Sequence, residues 1–303
     1  MGSYLRPTEL GDALAALGAP APRAILAGGT DFYPARVGRT IDEDVLDITA
    51  LPLGGIEEHG DHWRIGALAT WSQLIATPLP PCFDALKLAA RDVGGVQIQN
   101  AGTIAGNLCN ASPAADGVPP LLAMNAELEL VAAGGRRRVP LGAFITGNRK
   151  TARRADELVT AIRVPKPAAG TASTFLKLGA RRYLVISIVM VAAAIEPDAR
   201  NQVSRAYIAV GACSPVAQRL GALESALNGL PIDAGLAAVV REEHMTQALA
   251  PIDDVRGSAH YRNDAALTLV RRALAELGAR MQQPPRAERS PTAERSPSAE
   301  RSP

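Results

Sequence analysis

Aromatic residues are scarce: Trp, Tyr and Phe together make up 4% of 303 residues. Few ring faces are left on which nucleobases could stack. The 32 Lys and Arg against 30 Asp and Glu leave a net charge of +2. That balance provides no basic footprint for a nucleic acid or an anionic membrane, so neither partner is expected. Cysteine is sparse as well. Cys82, Cys109 and Cys213 are odd in number and far apart, which argues against a disulfide framework and against the four thiolates of an iron–sulfur cluster. Cys109 is read first as a small buried filler, with a place near a bound cofactor as the alternative. No apolar run approaches the roughly 20 residues that span a bilayer. Residues 174–195 come nearest, but Lys177, Arg181 and Arg182 interrupt them and their Val/Ile content reads as paired strands. The N-terminus shows neither a charged n-region nor an apolar h-region, so a cytoplasmic protein is expected. What remains is a 47% apolar chain, long enough for two domains with cores of their own.

Motifs for direct catalysis are missing too. There is no Gly-x-Ser-x-Gly elbow, no His-Glu-x-x-His and no Cys/His cluster at metal spacing. His59 and His62 fall in a turn and read as solvated hairpin residues. Glu242, Glu243 and His244 read as the wet face of a helix, and Arg136, Arg137 and Arg138 as a hairpin rim. Neither catalytic nor metal-ligating residues are assigned. Such a chain suits a protein whose cofactor carries the reactivity.

Two glycine segments stand out: Ala27-Gly28-Gly29-Thr30-Asp31, after a strand-like run, and Gly102-Thr103-Ile104-Ala105-Gly106-Asn107. Glycine allows positive φ and close approach, so successive N–H groups can converge on an anion. Two such segments in one domain fit a ligand with two adjacent phosphates, a dinucleotide. Neither is a complete nucleotide motif. The plainer reading of Gly28-Gly29 is a tight turn, with Asp31 capping the helix that follows.

Punctuation divides the chain. Residues 1–54 read as a small α/β unit, with a helix over 9–17 and strands at 24–26 and 45–48. Residues 55–165 add strands at 63–67, 127–131 and 158–163, with helices near 71–75 and 83–91. Residues 164–170 form a linker. Residues 171–280 read as three β-rich runs followed by helices at 215–227, 233–247 and 261–281, an α+β domain of antiparallel sheet with a helical layer. In residues 281–303 the unit Ala-Glu-Arg-Ser-Pro recurs three times, and this tail is expected to be disordered.

The glycine segments, with Ser112-Pro113 and Asp116 downstream, resemble the FAD-binding signatures of one family. It comprises the medium, flavin-carrying subunits of molybdenum hydroxylases of the xanthine and carbon monoxide dehydrogenase types. Asp156-Glu157-Leu158-Val159, Phe175-Leu176-Lys177-Leu178-Gly179 and residues 251–262 continue the likeness in the family's order. The resemblance implies a two-subdomain FAD-binding domain followed by the C-terminal α+β domain. It implies that Leu26, Ala27, Gly28, Gly29, Thr30 and Asp31 hold the FAD pyrophosphate through main-chain N–H groups. Thr103, Ile104, Ala105, Gly106 and Asn107 would close from the other side. Asp116 would bind a polar edge of the cofactor, Leu158 would pack near the isoalloxazine, and Lys177 would approach the flavin, where a positive charge raises its potential. Two departures are Ala105, where glycine is commoner, and Gln99, where arginine is frequent.

The function implied is electron transfer from a small [2Fe–2S] subunit, through this FAD, to an external acceptor. Substrate would be oxidised on a large molybdopterin-binding subunit, in a heterotrimer or a dimer of heterotrimers, and this oxidoreductase subunit would be incomplete alone. The alternatives are a free-standing flavin oxidoreductase of related fold, or a non-catalytic scaffold that has lost FAD.

Overall fold

A computed structural model describes residues 2–282. Strands β1 (Tyr4–Leu5), β2 (Arg23–Leu26) and β3 (Asp44–Asp47) form a small parallel sheet, ordered β1-β3-β2. Parallel neighbours cannot be joined by a hairpin. The helix Leu10–Leu17 makes the return, burying Ala13, Leu14 and Leu17 in the core that holds Leu46 and stopping at Gly18. β2 therefore aims its C-terminal end, and the first glycine segment, out of the sheet edge.

The second unit is built on antiparallel pairs. Its strands are β4 (Ile56–Glu58), β5 (His62–Gly66), β6 (Glu127–Ala132) and β7 (Gly135–Pro140). After a short hairpin of β8 (Ile145–Gly147) and β9 (Lys150–Thr151) comes β10 (Leu158–Pro165). The five-stranded order is β4-β5-β10-β6-β7. β10 is the central strand, which is why residues 158–162 are buried without alternation. The chain between β5 and β6 folds into short helices, among them Trp71–Ala76, Asp84–Asp92, Val96–Ala101, Ile104–Asn110 and Val118–Ala123.

Strands β11 (Ala172–Leu178), β12 (Val189–Pro197), β13 (Val203–Gly211) and β14 (Gln218–Arg219) form an antiparallel sheet in chain order. The two faces of β12 pack into different cores. Val191, Ala193 and Ile195 join the core made with Leu223 and with Val270 and Leu274 of the helix Ala259–Gln282. Met190 and Ala192 join Phe175 and Ala209 against Ala85, Ala89 and Ala123 of the second unit's helices. Small residues on the second face let sheet and helices approach closely: a Cβ on Gly211 would stand 2.9 Å from the Pro119 ring. With both faces covered, residues 189–195 carry no polar alternation. The nearest approach to a membrane span in the sequence, residues 174–195, is thus a pair of antiparallel strands, β11 and β12, with their connection. Among the described residues no helix is long and apolar enough to cross a membrane.

The molecule is accordingly α+β: a two-part unit with one mixed core, then an antiparallel sheet with its helical layer. Several expected elements are shorter or broken. Of residues 215–227 only Gly221–Leu227 is helical, because Gln218 and Arg219 pair with β13. Residues 233–247 split into a 3-10 turn, Ala234–Val239, and the helix Glu242–Thr246. The last helix reaches Gln282, two residues into the segment assigned to the tail; all three repeats lie outside the described residues.

Candidate functional site

The first glycine segment does not lead into a capped helix. Gly29 adopts φ of +73° and the chain makes a single 3-10 turn, Pro34–Arg36, whose cap is Tyr33 rather than Asp31. Tyr33 N–H donates to Gly29 O at 3.1 Å and Ala35 N–H to Asp31 O at 3.2 Å. Among the described residues, the N–H groups of Gly28, Gly29, Thr30 and Asp31 donate to no protein acceptor. Unspent main-chain donors clustered at one turn call for an external acceptor.

The second segment is an N-cap and first turn rather than a loop. Thr103 caps the helix Ile104–Asn110, its Oγ1 accepting from Gly106 N–H at 3.0 Å. Ala105 lies inside this helix, so the position needs no glycine. Gln99, the other departure, donates through Nε2 to Arg91 O at 3.2 Å. The helix is anchored to its neighbour through Ile104 N–H to Ala69 O and Trp71 N–H to Gly102 O.

These two segments touch. A Cβ on Gly28 would lie 1.9 Å from Ala101 O, and one on Gly102 would lie 3.3 Å from Thr30 Oγ1. Together they line one cavity of about 440 Å³. Ala27, Gly28, Gly29, Thr30 and Asp31 form one side, and Thr103, Ala105, Gly106 and Asn107 another; Leu158 and Val159 of β10 contribute a third. Its apolar depth comes from Ile25, Ile48 and Ala67. Asn107 Oδ1 is buried without a hydrogen-bond partner.

Four of the expected residues lie elsewhere. Leu26 and Ile104 point into the core and are absent from the cavity lining. Asp116 and Lys177 also lie outside it and are bonded to each other: Lys177 Nζ donates to Asp116 Oδ2 at 2.7 Å across the junction of the two units. The lysine charge is thus compensated, which changes the argument for a bare cation beside the cofactor. Burial pushes the Asp116 carboxyl up, against the pull of Lys177.

Other lining residues left no legible trace in the sequence. Arg149 and Arg153 reach the cavity from the β8–β9 hairpin and the segment after it. Arg149, at φ of +58°, donates to Asn110 Oδ1, and Arg153 donates to Glu157 O at 2.8 Å. Both bind only carbonyl and amide oxygens among the described residues, so both keep their charge. Arg36 is spent on Glu43 and on Phe32 O at 2.8 Å. The cavity therefore carries an excess of positive charge, which favours an anionic ligand. Cys109 is not core filler: it is exposed on the cavity wall, and desolvation by the surrounding protein pushes its thiol up to about 11.

His59 and His62 stack at the β4–β5 hairpin, ring centroids 4.7 Å apart, and Arg137 pairs with Glu157. No group of three or more metal-ligating side chains occurs among the described residues.

Comparison with known proteins identifies the class. Residues 1–167 match the family model for the FAD binding domain in molybdopterin dehydrogenase, and residues 174–277 match that for the CO dehydrogenase flavoprotein C-terminal domain. The chain belongs to the family of FAD-binding medium subunits of molybdenum hydroxylases, a class of oxidoreductases whose first domain binds FAD. It is 31% identical over 281 residues to the carbon monoxide dehydrogenase medium chain of Hydrogenophaga pseudoflava, covering 91% of this chain and 97% of that one. It is 29% identical over 280 residues to the nicotine 6-hydroxylase medium subunit of Paenarthrobacter nicotinovorans, covering 91% and 97%. The solved carbon monoxide dehydrogenase of Hydrogenophaga pseudoflava superposes with a TM-score of 0.81 at 30% identity, covering 91% of this chain and 96% of that one.

The cavity fits FAD on its own terms. It offers unspent N–H donors at a glycine turn with no room for a Cβ, surplus positive charge for phosphates, and an apolar depth for a ring.

Proposed function

We propose that this chain carries FAD as the electron-transfer subunit of a heteromeric molybdenum hydroxylase. It would take electrons from a [2Fe–2S] subunit and pass them to an external acceptor. The observation that carries this reading is the convergence of both glycine segments on one cavity. Bound FAD supplies chemistry that accepts an electron pair or single electrons. The chain's own residues bind and orient it.

Main-chain N–H groups of residues 27–31 are read as the pyrophosphate anchor, with Thr103 and Asn107 adding side-chain bonds. Arg149 and Arg153 balance phosphate charge, and Leu158 packs against a ring. Asp116 and Lys177 act as a pair from behind the wall. Residues 1–165, in subdomains 1–54 and 55–165, are read as the cofactor-binding domain, and 171–280 as the C-terminal domain. Partners are a large molybdopterin-binding subunit and a small iron–sulfur subunit, as a heterotrimer or its dimer, in the cytoplasm. The medium-subunit relatives support this assembly.

The purified full chain is expected to release stoichiometric FAD on denaturation. Absence of flavin after incubation with excess FAD would instead favour the scaffold reading. Co-purification with molybdenum and iron subunits distinguishes the complex from a free-standing flavin enzyme.

A further inference from the structure

Both carboxylate oxygens of Asp116 accept a side-chain hydrogen bond. Lys177 of β11 donates to its Oδ2 at 2.7 Å, and Ser187, just before β12, donates to its Oδ1 at 2.6 Å. Lys177 Nζ also lies 3.4 Å from Asp92 O, at the end of the helix Asp84–Asp92. Ser187 is 2% exposed and Asp116 8%, so these bonds form in a low-dielectric interior where each counts for more than at the surface.

The pair adjoins residues that line the cavity. Asp92 precedes Val93, which lines it. Gly117, next to Asp116, abuts two more lining residues: a Cβ there would be 2.6 Å from the Trp71 ring and 2.9 Å from Asn107 Oδ1. Carboxylate and wall are thus tied through one backbone turn.

We propose that Ser187 is a positioning residue for the electrostatics of the FAD cavity: its hydroxyl keeps Asp116 ionised, and ionised Asp116 keeps Lys177 neutralised behind the wall. This inference rests on the reading of the cavity as the FAD site. The charged groups facing Asp116 are Lys177 and Asp92, and Arg182, in the β11–β12 connection, faces Asp92 in turn. Lys177 favours the carboxylate, whereas burial and Asp92 oppose it. The Ser187 hydroxyl adds to the pull of Lys177 on the carboxylate side. Removing a hydrogen bond to a charged group moves a proton-uptake midpoint by roughly one to two pH units. Once Asp116 is neutral, Lys177 presents an uncompensated positive charge, which stabilises added electrons on a nearby acceptor.

The test is the midpoint potential of bound flavin against pH, from about 5.5 to 9, in the FAD-loaded full chain. FAD content and melting temperature are recorded alongside. In Ser187→Ala the potential is expected to rise above that of wild type as pH falls, the two curves meeting at high pH. Ser187→Thr, which retains the hydroxyl, should follow wild type, and Asp116→Asn should be displaced to positive potential throughout. Superposable curves for wild type and Ser187→Ala, with equal FAD content, would overturn the proposal. So would an Asp116→Asn curve lying on that of wild type. If Ser187→Ala fails to retain FAD, Ser187→Cys takes its place, and its weaker donor should give an intermediate displacement; no displacement there also overturns it. A wild-type chain that takes up no FAD defeats the cofactor reading itself, an outcome distinct from all of these.

Discussion

Replacing Gly28 by alanine asks whether the two glycine segments form one site. The new Cβ would stand 1.9 Å from Ala101 O and 2.7 Å from Ala101 C, whereas real Cβ contacts essentially never fall under 3.0 Å. Both opposing atoms are main chain, so no rotamer change relieves the overlap. Gly28 is not at positive φ; the entire cost is steric. The segments must part by at least about 1 Å, and overpacking of this kind costs about 1–3 kcal/mol. If that cost falls on the loaded state, FAD affinity drops roughly 5- to 150-fold. Gly38→Ala is the control. Gly38 has φ of +75° with nothing within 4 Å and lies outside the cavity lining. Alanine there costs about 1–2 kcal/mol of left-handed strain but leaves the cavity unchanged. Titration of the flavin-free chain with FAD, followed by flavin fluorescence, together with thermal melts, reads both quantities. Gly28→Ala should bind about 5- to 150-fold more weakly, and Gly38→Ala should lose stability while keeping affinity within about twofold. Wild-type affinity and melting temperature in Gly28→Ala would refute the single-site argument, as would equal weakening by both changes.

Three further outcomes are expected. Lys177→Met strands a buried carboxylate and should cost about 3–5 kcal/mol in urea unfolding; adding Asp116→Asn should recover most of that loss. Arg137 donates to both oxygens of Glu157, at 2.5 and 2.8 Å, and its bonds hold that carboxyl below the ordinary glutamate range. A depressed pKa contributes stability above the unfolded value of about 4.3, lost as pH falls below it. Arg137→Gln should therefore lower the melting temperature at pH 7, with the difference vanishing under acid conditions. Cys109, with its thiol near 11, should be about one part in a thousand thiolate at pH 8. Its alkylation, read by mass spectrometry, should accelerate about tenfold per pH unit, outpace Cys82 and Cys213, which are buried, and stop when FAD is added first.

Much of this protein was legible without coordinates. The alternation of β5 and β6, the helix ending at Gly18 and the proline-rich break after β10 are local signals, set by side-chain period and by what glycine and proline permit. The two glycine segments were visible for the same reason, since close approach and positive φ admit few other residues. What the chain could not disclose is which of these pieces meet. Only the fold shows that Gly28 rests on Ala101 O, so that segments more than 70 residues apart share one cavity. Arg149 and Arg153 carried no periodic signal and became lining residues because a two-strand hairpin turns them inward. The resemblance makes Lys177 a positive charge near the flavin, but its partner lies 61 positions away across a junction rich in alanine. Turn geometry and hydrophobic period are properties of neighbours along the chain. Charge compensation, cavity lining and the closeness of two backbones depend on distances through space, which tertiary packing alone decides.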